Sequence, residues 1–169
     1  SGTGSPEAVV TARIGSMYLA TDGGQSTAVW YKETGTGNTG WVGLGGWPIA
    51  WGAASLGTVA TALYFAPGWI AAASTTEIKL AITRPGTVRN LRVQVAGAGT
   101  DAATVTFTVR KNGVDTTLTC NISNTATGLA SDTTHSFTVV AGDLLSISIL
   151  KSGAVTAGQT NVTASIEVV

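Results

Sequence analysis

Thr104-Val-Thr-Phe-Thr-Val-Arg-Lys-Asn-Gly-Val-Asp-Thr-Thr-Leu-Thr-Cys-Asn-Ile122 decides the fold class. Val105, Phe107 and Val109 alternate with Thr104, Thr106, Thr108 and Arg110, a period of two that sends one set of side chains to a core and the other to solvent. Asn112-Gly113 follows, the strongest short-range signal for a hairpin turn, because both residues accept positive φ. A second alternating run, Leu118, Cys120 and Ile122, returns from it. The stretch therefore predicts two antiparallel strands over 104–110 and 116–122.

The same pattern extends in both directions. Upstream, strands are expected at Leu63–Phe65, Glu77–Thr83 and Val88–Val95, with a turn at Arg84-Pro-Gly-Thr87. Downstream they are expected at His135–Val140, Leu144–Leu150 and Asn161–Val169, with a turn at Val140-Ala-Gly-Asp143. Leu145, Ile147 and Ile149 alternate with Ser146 and Ser148. The only helix candidate, 60–73, is interrupted by Pro67-Gly68. About eight short strands with turn signals at regular intervals predict an antiparallel sandwich, with a jelly roll as the preferred topology.

Ahead of this domain lies a different kind of sequence. Met17-Tyr-Leu-Ala20 and Ala28-Val-Trp-Tyr-Lys32 read as two strands around Thr21-Asp-Gly-Gly-Gln-Ser26, a hairpin with a long loop. Thr34-Gly-Thr-Gly-Asn-Thr-Gly40 is a second turn, and Trp41-Val42 opens a third strand. So few strands bury little by themselves, so this module needs a partner: the rest of the chain, or copies of itself. The expected organisation is a β-hairpin module at 1–45, an aromatic, Gly/Ala-rich linker at 46–61, and the jelly roll at 62–169.

Composition narrows the function classes. Of 169 residues only 11% are charged, nine basic against nine acidic, so the net charge is zero. Phosphate binding rests on clustered Lys and Arg, which argues against nucleic acid as a partner. The hydrophobic fraction is 44%, yet no run approaches the ~20 apolar residues of a membrane span, and membrane insertion is not expected. Low charge with abundant Thr, Ser, Ala and Gly suits a rigid assembly whose surface is largely covered by neighbours. No signal-peptide pattern opens the chain, and its Ser1-Gly2 start is that expected of a processed product or of a piece of a longer polypeptide.

No catalytic constellation emerges. Cys120 is the single cysteine and shares a face with Leu118 and Ile122, as a core thiol does. His135 is the single histidine, which rules out a multi-His metal site. Most acidic residues stand in turn contexts (Asp22-Gly23, Gly113-Val-Asp115, Gly142-Asp143) that explain them as turn and capping groups. Ser131 or Ser136 with Asp132 and His135 are too close in sequence for a nucleophilic relay. Gly35-Thr-Gly37 and Gly40 lack the Lys-Ser/Thr and the helix of a phosphate loop. No cofactor is expected, and no ligand spacing marks a metal site, which leaves open only a calcium ion held by loop Asp residues and carbonyls.

The five tryptophans, Trp30, Trp41, Trp47, Trp51 and Trp69, all fall in the first seventy residues. Trp47-Pro-Ile-Ala-Trp51 and Phe65-Ala-Pro-Gly-Trp69 stand where the two modules meet. Indole faces stack on sugar rings, and they also supply large buried areas at packing and subunit contacts. The packing reading is preferred, and these five are the candidates for oligomer or ligand contact.

The run Gly4-Ser-Pro-Glu, Gly15-Ser-Met-Tyr, Thr21-Asp-Gly-Gly, Val29-Trp-Tyr-Lys and Gly35-Thr-Gly-Asn-Thr-Gly-Trp41 resembles a module found near the C-terminal ends of tailed-bacteriophage fibres, tailspikes and related virion proteins. The later phrases Val109-Arg-Lys-Asn-Gly-Val-Asp and Val139-Val-Ala-Gly-Asp-Leu-Leu look like the C-terminal jelly rolls of phage fibre and decoration proteins, and like small trimeric jelly rolls more widely. The resemblance implies a non-enzymatic structural component of the virion, part of a homotrimeric fibre, spike or appendage that touches other virion proteins and a host-surface glycan or protein. A capsid decoration protein, or a free carbohydrate-binding module, are the alternatives.

Overall fold

The computed structural model describes residues 1–23 and 28–169. The chain divides into two compact units, Ser1–Trp47 and Pro48–Val168. Among the described residues all regular structure is β, as expected.

In the first unit β1 (Met17–Leu19), β2 (Val29–Lys32) and β3 (Trp41–Gly43) form an antiparallel sheet in that order. Tyr18 faces Trp30, and Lys32 faces Trp41, so these four side chains share one side. There Tyr18, Ala20 and Trp41 are buried, with Val10, Ala12 and Trp30 packed against them. The Tyr18 and Trp41 rings meet edge-on at 6.1 Å. The Glu7 carboxylate closes the segment 34–40 over this core, accepting from the backbone N–H groups of Gly40 (3.1 Å) and Trp41 (2.8 Å). Gly40 is required there: its φ is 87°, and a Cβ would come within 2.5 Å of Thr34 O. Half of the loop expected over 21–26, residues 24–26, lies outside the described residues.

The second unit is a sandwich of two five-stranded sheets. Its strands are β4 (Trp47–Ser55), β5 (Leu63–Tyr64), β6 (Ala66–Pro67), β7 (Leu80–Ala81), β8 (Gly86–Gly97), β9 (Thr104–Lys111), β10 (Val114–Ser123), β11 (Gly128–Val139), β12 (Leu144–Lys151) and β13 (Thr160–Val168). One sheet runs β10-β9-β12-β5, with β7 also on β12; the other runs β11-β8-β13-β4-β6. The pairing is that of one long hairpin rolled on itself. Here β4 lies beside β13, β5 and β7 beside β12, β8 beside β11, and β9 beside β10. This is the jelly-roll order that the sequence leads one to expect.

The core follows the alternation. Val105, Phe107 and Val109 of β9, Leu145 of β12, and Leu91, Val93 and Val95 of β8 are wholly buried. Phe107 stacks on Phe65 at 6.0 Å with the rings 7° apart. Asn112 and Gly113 both take positive φ at the β9–β10 turn.

Two expectations are corrected. The segment 46–61, read as a linker, carries β4 over most of its length, because Trp51 and Ala53 alternate inward and β13 pairs with it. Its many small residues hid that alternation. The helix candidate at 60–73 is instead β5, β6 and a bend, with Leu63, Phe65 and Ala66 buried. Pro67-Gly68 ends β6, and Gly68 has a φ of 80°.

Candidate functional site

The tryptophans do not share one environment. Trp41 is a core residue of the first unit, where its indole N–H donates to Val10 O (2.8 Å) and its ring lies 5.8 Å from the Lys32 ammonium. Trp30 packs beside that core and lines a hollow of about 290 Å³ with Ser5 and Asp22. Trp47 is half-buried at the first position of β4. Trp51 is 1% exposed and belongs to the core, out of reach of a ligand. Trp69 alone is well exposed, at 53%; its ring lies over Gly52, where a Cβ would approach within 2.7 Å.

A second locus, not singled out in the sequence, lies on the outward face of the β10-β9-β12-β5 sheet. Because Val105, Phe107 and Val109 point inward, Thr106, Thr108 and Arg110 point out. Register completes three rows. Asp115, Arg110 and Ser146 form the first; Thr119, Thr108, Ser148 and Tyr64 the second; Asn121, Thr106 and Leu150 the third. A groove of about 300 Å³ opens over them.

Arg110 organises this groove. Its Nη1 lies 3.0 Å from Glu77 Oε1 and donates to the Tyr64 hydroxyl (3.2 Å). Its Nε sits 2.6 Å from Asp115 Oδ1, and Nη2 donates to Gly113 O. Burial works to raise the Glu77 carboxyl, but the Ser146 hydroxyl (2.6 Å), Arg110 and Lys79 together hold it below the ordinary value. Thr108 and Thr119 share a hydroxyl–hydroxyl bond of 3.1 Å, and Thr119 donates onward to Phe107 O. Sequence reading assigned the acidic residues to turns and surface. It could not join Glu77 to Arg110, since that contact crosses the sheet; the signal available was only that Thr106, Thr108 and Arg110 occupy the outward phase.

The Asp132–His135 neighbourhood holds a contact that the sequence did not suggest. A register shift in β11 between Asp132 and Ser136 brings His135 Nδ1 to 2.8 Å from Asp132 Oδ2, so an Asp–His pair does form between near neighbours. Burial opposes ionisation of Asp132. The backbone N–H groups of His135, Thr119 and Thr134, with the His135 ring, outweigh it and hold the carboxyl far below its usual range. Cys120 is pushed the other way, to about 12, by burial and by the Asp132 charge. A thiol in that state is no nucleophile at neutral pH. The Asp132 carboxylate serves instead to tie β11 to β10 of the facing sheet through Thr119 N (3.0 Å).

Two of the nine basic residues are interior: Lys32 is wholly buried, its ammonium donating to Thr39 O, and Lys151 donates to Leu56 O at 3.0 Å. Among the described residues no group of three or more His, Cys, Asp or Glu is placed to hold a metal ion. Among the described residues no helix is long and apolar enough to cross a membrane. No protein-family model matches the chain, and no curated protein shows significant similarity to it.

Proposed function

We propose that this protein is a non-enzymatic structural component of a bacteriophage particle, one subunit of a trimeric fibre, spike or appendage on the virion, whose sandwich contacts a host-surface glycan or protein. The observation that carries the assembly half is the second face of the three-stranded sheet. Met17, Tyr31 and Val42 are in register there, and Leu19 pairs with Val29 beside Leu44, whose N–H donates to Val29 O (2.8 Å). Met17, Leu19 and Leu44 are 66%, 53% and 49% exposed. Among the described residues the buried hydrophobic cluster of this unit is Tyr18, Ala20 and Trp41, a thin core for its size, while its other face is apolar except for the Tyr31 hydroxyl, which donates to Glu33 Oε1 (3.0 Å). Three copies packing such faces about a common axis would cover them. The resemblance of 1–45 to phage fibre modules supports the same reading. The low charge of the whole chain fits it as well.

Light scattering on the purified chain tests this. The expected mass is three times 17.0 kDa, falling to one for Leu19→Asp with the sandwich still folded. A wild-type monomer at micromolar concentration overturns it. Binding to host cells against binding to undecorated capsids then separates an appendage from a capsid decoration protein.

A further inference from the structure

We infer that the outward groove over β9, β10 and β12 is a binding site for a neutral sugar ring, with Tyr64, Thr106 and Asp115 as its polar contacts and Leu150 as its apolar wall. This rests on the glycan-contact half of the function proposed above and is independent of the trimer.

Electrostatics select the ligand class. Among the described residues Arg110 is the only cation lining the groove, and it is already matched by Glu77 and Asp115, with Lys79 3.4 Å from Glu77. Two cations and two anions leave no net charge. A phosphate or a carboxylate would have to displace Asp115 or Glu77 from Arg110, and a cation would meet the guanidinium. What remains is hydrogen-bonding capacity with no net charge behind it. Among the described residues nothing accepts the Tyr64 phenolic proton, nothing bonds the Thr106 hydroxyl, and Asp115 Oδ2 has no donor. These offer a donor, a two-way hydroxyl and a charged acceptor on one face, and adjacent ring hydroxyls of a sugar present the matching set.

The apolar component is present too. Leu150, 49% exposed, stands beside Thr106 across the β9–β12 pair, and Ala62 flanks it. A pyranose carries C–H groups on one face and hydroxyls around its rim, so a wall of this kind next to a polar floor fits it. The volume, about 300 Å³, is at the small end for ligand pockets and suits one ring of a chain rather than a long oligosaccharide. The floor is rigid: Thr106, Thr108 and Ser148 sit on paired central strands, so little order is lost on binding.

The experiment is a titration of isotope-labelled full chain followed by amide chemical shifts. The probes are glucose, galactose, mannose and N-acetylglucosamine, with glucuronate and inorganic phosphate as anionic controls. Neutral sugars should shift the amides around Thr106, Thr108 and Asp115 with affinities of about 1 mM, as expected of a single ring. The anions should not. Thr106→Val and Asp115→Asn should each weaken binding about five- to tenfold with an unchanged circular-dichroism spectrum, each removing one hydrogen bond. The inference is overturned if no neutral sugar shifts these amides, if the anions do so equally, or if the shifts centre on Trp69 instead. Mass measured on the same sample keeps the two claims apart. A monomer that binds sugar sinks the trimer alone, and a trimer that binds none sinks the groove alone.

Discussion

Residues 1–47 and residues 48–168 use the same strand alternation, yet they place their apolar side chains differently. In the sandwich both sheets turn their hydrophobic phase inward, so Val93, Val95, Phe107, Leu145 and Ile147 have no exposure at all. In the three-stranded sheet one phase covers Tyr18 and Trp41 while the other leaves Met17 and Leu19 in the open. The first unit compensates with polar clasps. Glu7 holds Gly40 and Trp41, Asn38 Nδ2 donates to Ala8 O (2.8 Å), and buried Lys32 reaches Thr39 O. A closed roll is stable from its own burial. A single sheet with one covered face depends on capping hydrogen bonds and on whatever covers the other side.

The sharpest way to break that comparison is at the two aromatic centres. Phe107→Ala removes a wholly buried ring stacked on Phe65 and should destabilise the sandwich by about 3–5 kcal/mol, read from urea unfolding. Trp41→Ala should cost the first unit about 3 kcal/mol, because the edge contact with Tyr18, the Lys32 contact and the bond to Val10 O go together. Hydrogen exchange should then show lost protection in β2 and β3 with β8, β9 and β12 unchanged. Loss of protection in both units would mean that they unfold as one, and the contrast would fail.

A smaller effect concerns acid. Asp143 accepts from Val140 N (2.8 Å) and from Asn112 Nδ2 (2.7 Å), and lies 2.9 Å from the Lys111 ammonium. The Val140 N–H foremost, then these side chains, bring its carboxyl down to about 2 from the ordinary 3.8. A depressed carboxyl favours the folded state only while ionised. Its contribution is therefore complete above about pH 4 and fades as the pH falls toward 2. Thermal midpoints of wild type should drop across that window, and Asp143→Asn should show a lower midpoint at pH 7 with a shallower drop. Equal slopes for the two proteins would remove Asp143 from the acid response.

How much of this was legible depends on what each element was made of. The β9–β10 hairpin declared itself through Val105, Phe107, Val109 and Asn112-Gly113, because side-chain size alternates and the turn chemistry is local. β4 was illegible because Ala50, Gly52, Ala53 and Ala54 carry no size contrast; its place was set by pairing with β13, a hundred residues away. The groove was half legible. The outward phase of β9 could be read, but the meeting of Arg110 with Glu77 and Tyr64 depends on β5 and β12 lying side by side. The Asp132–His135 contact could not be read from the sequence, because ideal strand geometry sends residues three apart to opposite faces, and only the irregularity in β11 reverses that.

The smallest expected effect sharpens the contrast from the other side, by making the first unit slightly more stable. Ala8 has a φ of 63°, in the left-handed region that costs an ordinary L-residue about 1–2 kcal/mol. It is held there by two bonds to the same residue: Ala8 N donates to Asn38 O (2.7 Å), and Asn38 Nδ2 donates to Ala8 O. The side chain itself is exposed, so its loss removes little packing. Ala8→Gly relieves the steric penalty but gives the unfolded chain more freedom, which takes back about 0.5–1 kcal/mol. The net gain should be below about 1 kcal/mol. It should appear as slower hydrogen exchange at Gly40 and Trp41, whose amides Glu7 holds one residue away, with no change at Val93 or Ile147. A loss of protection there would mean that the Ala8 methyl is itself covered in solution, and that the apolar contact surface of the first unit extends beyond its sheet.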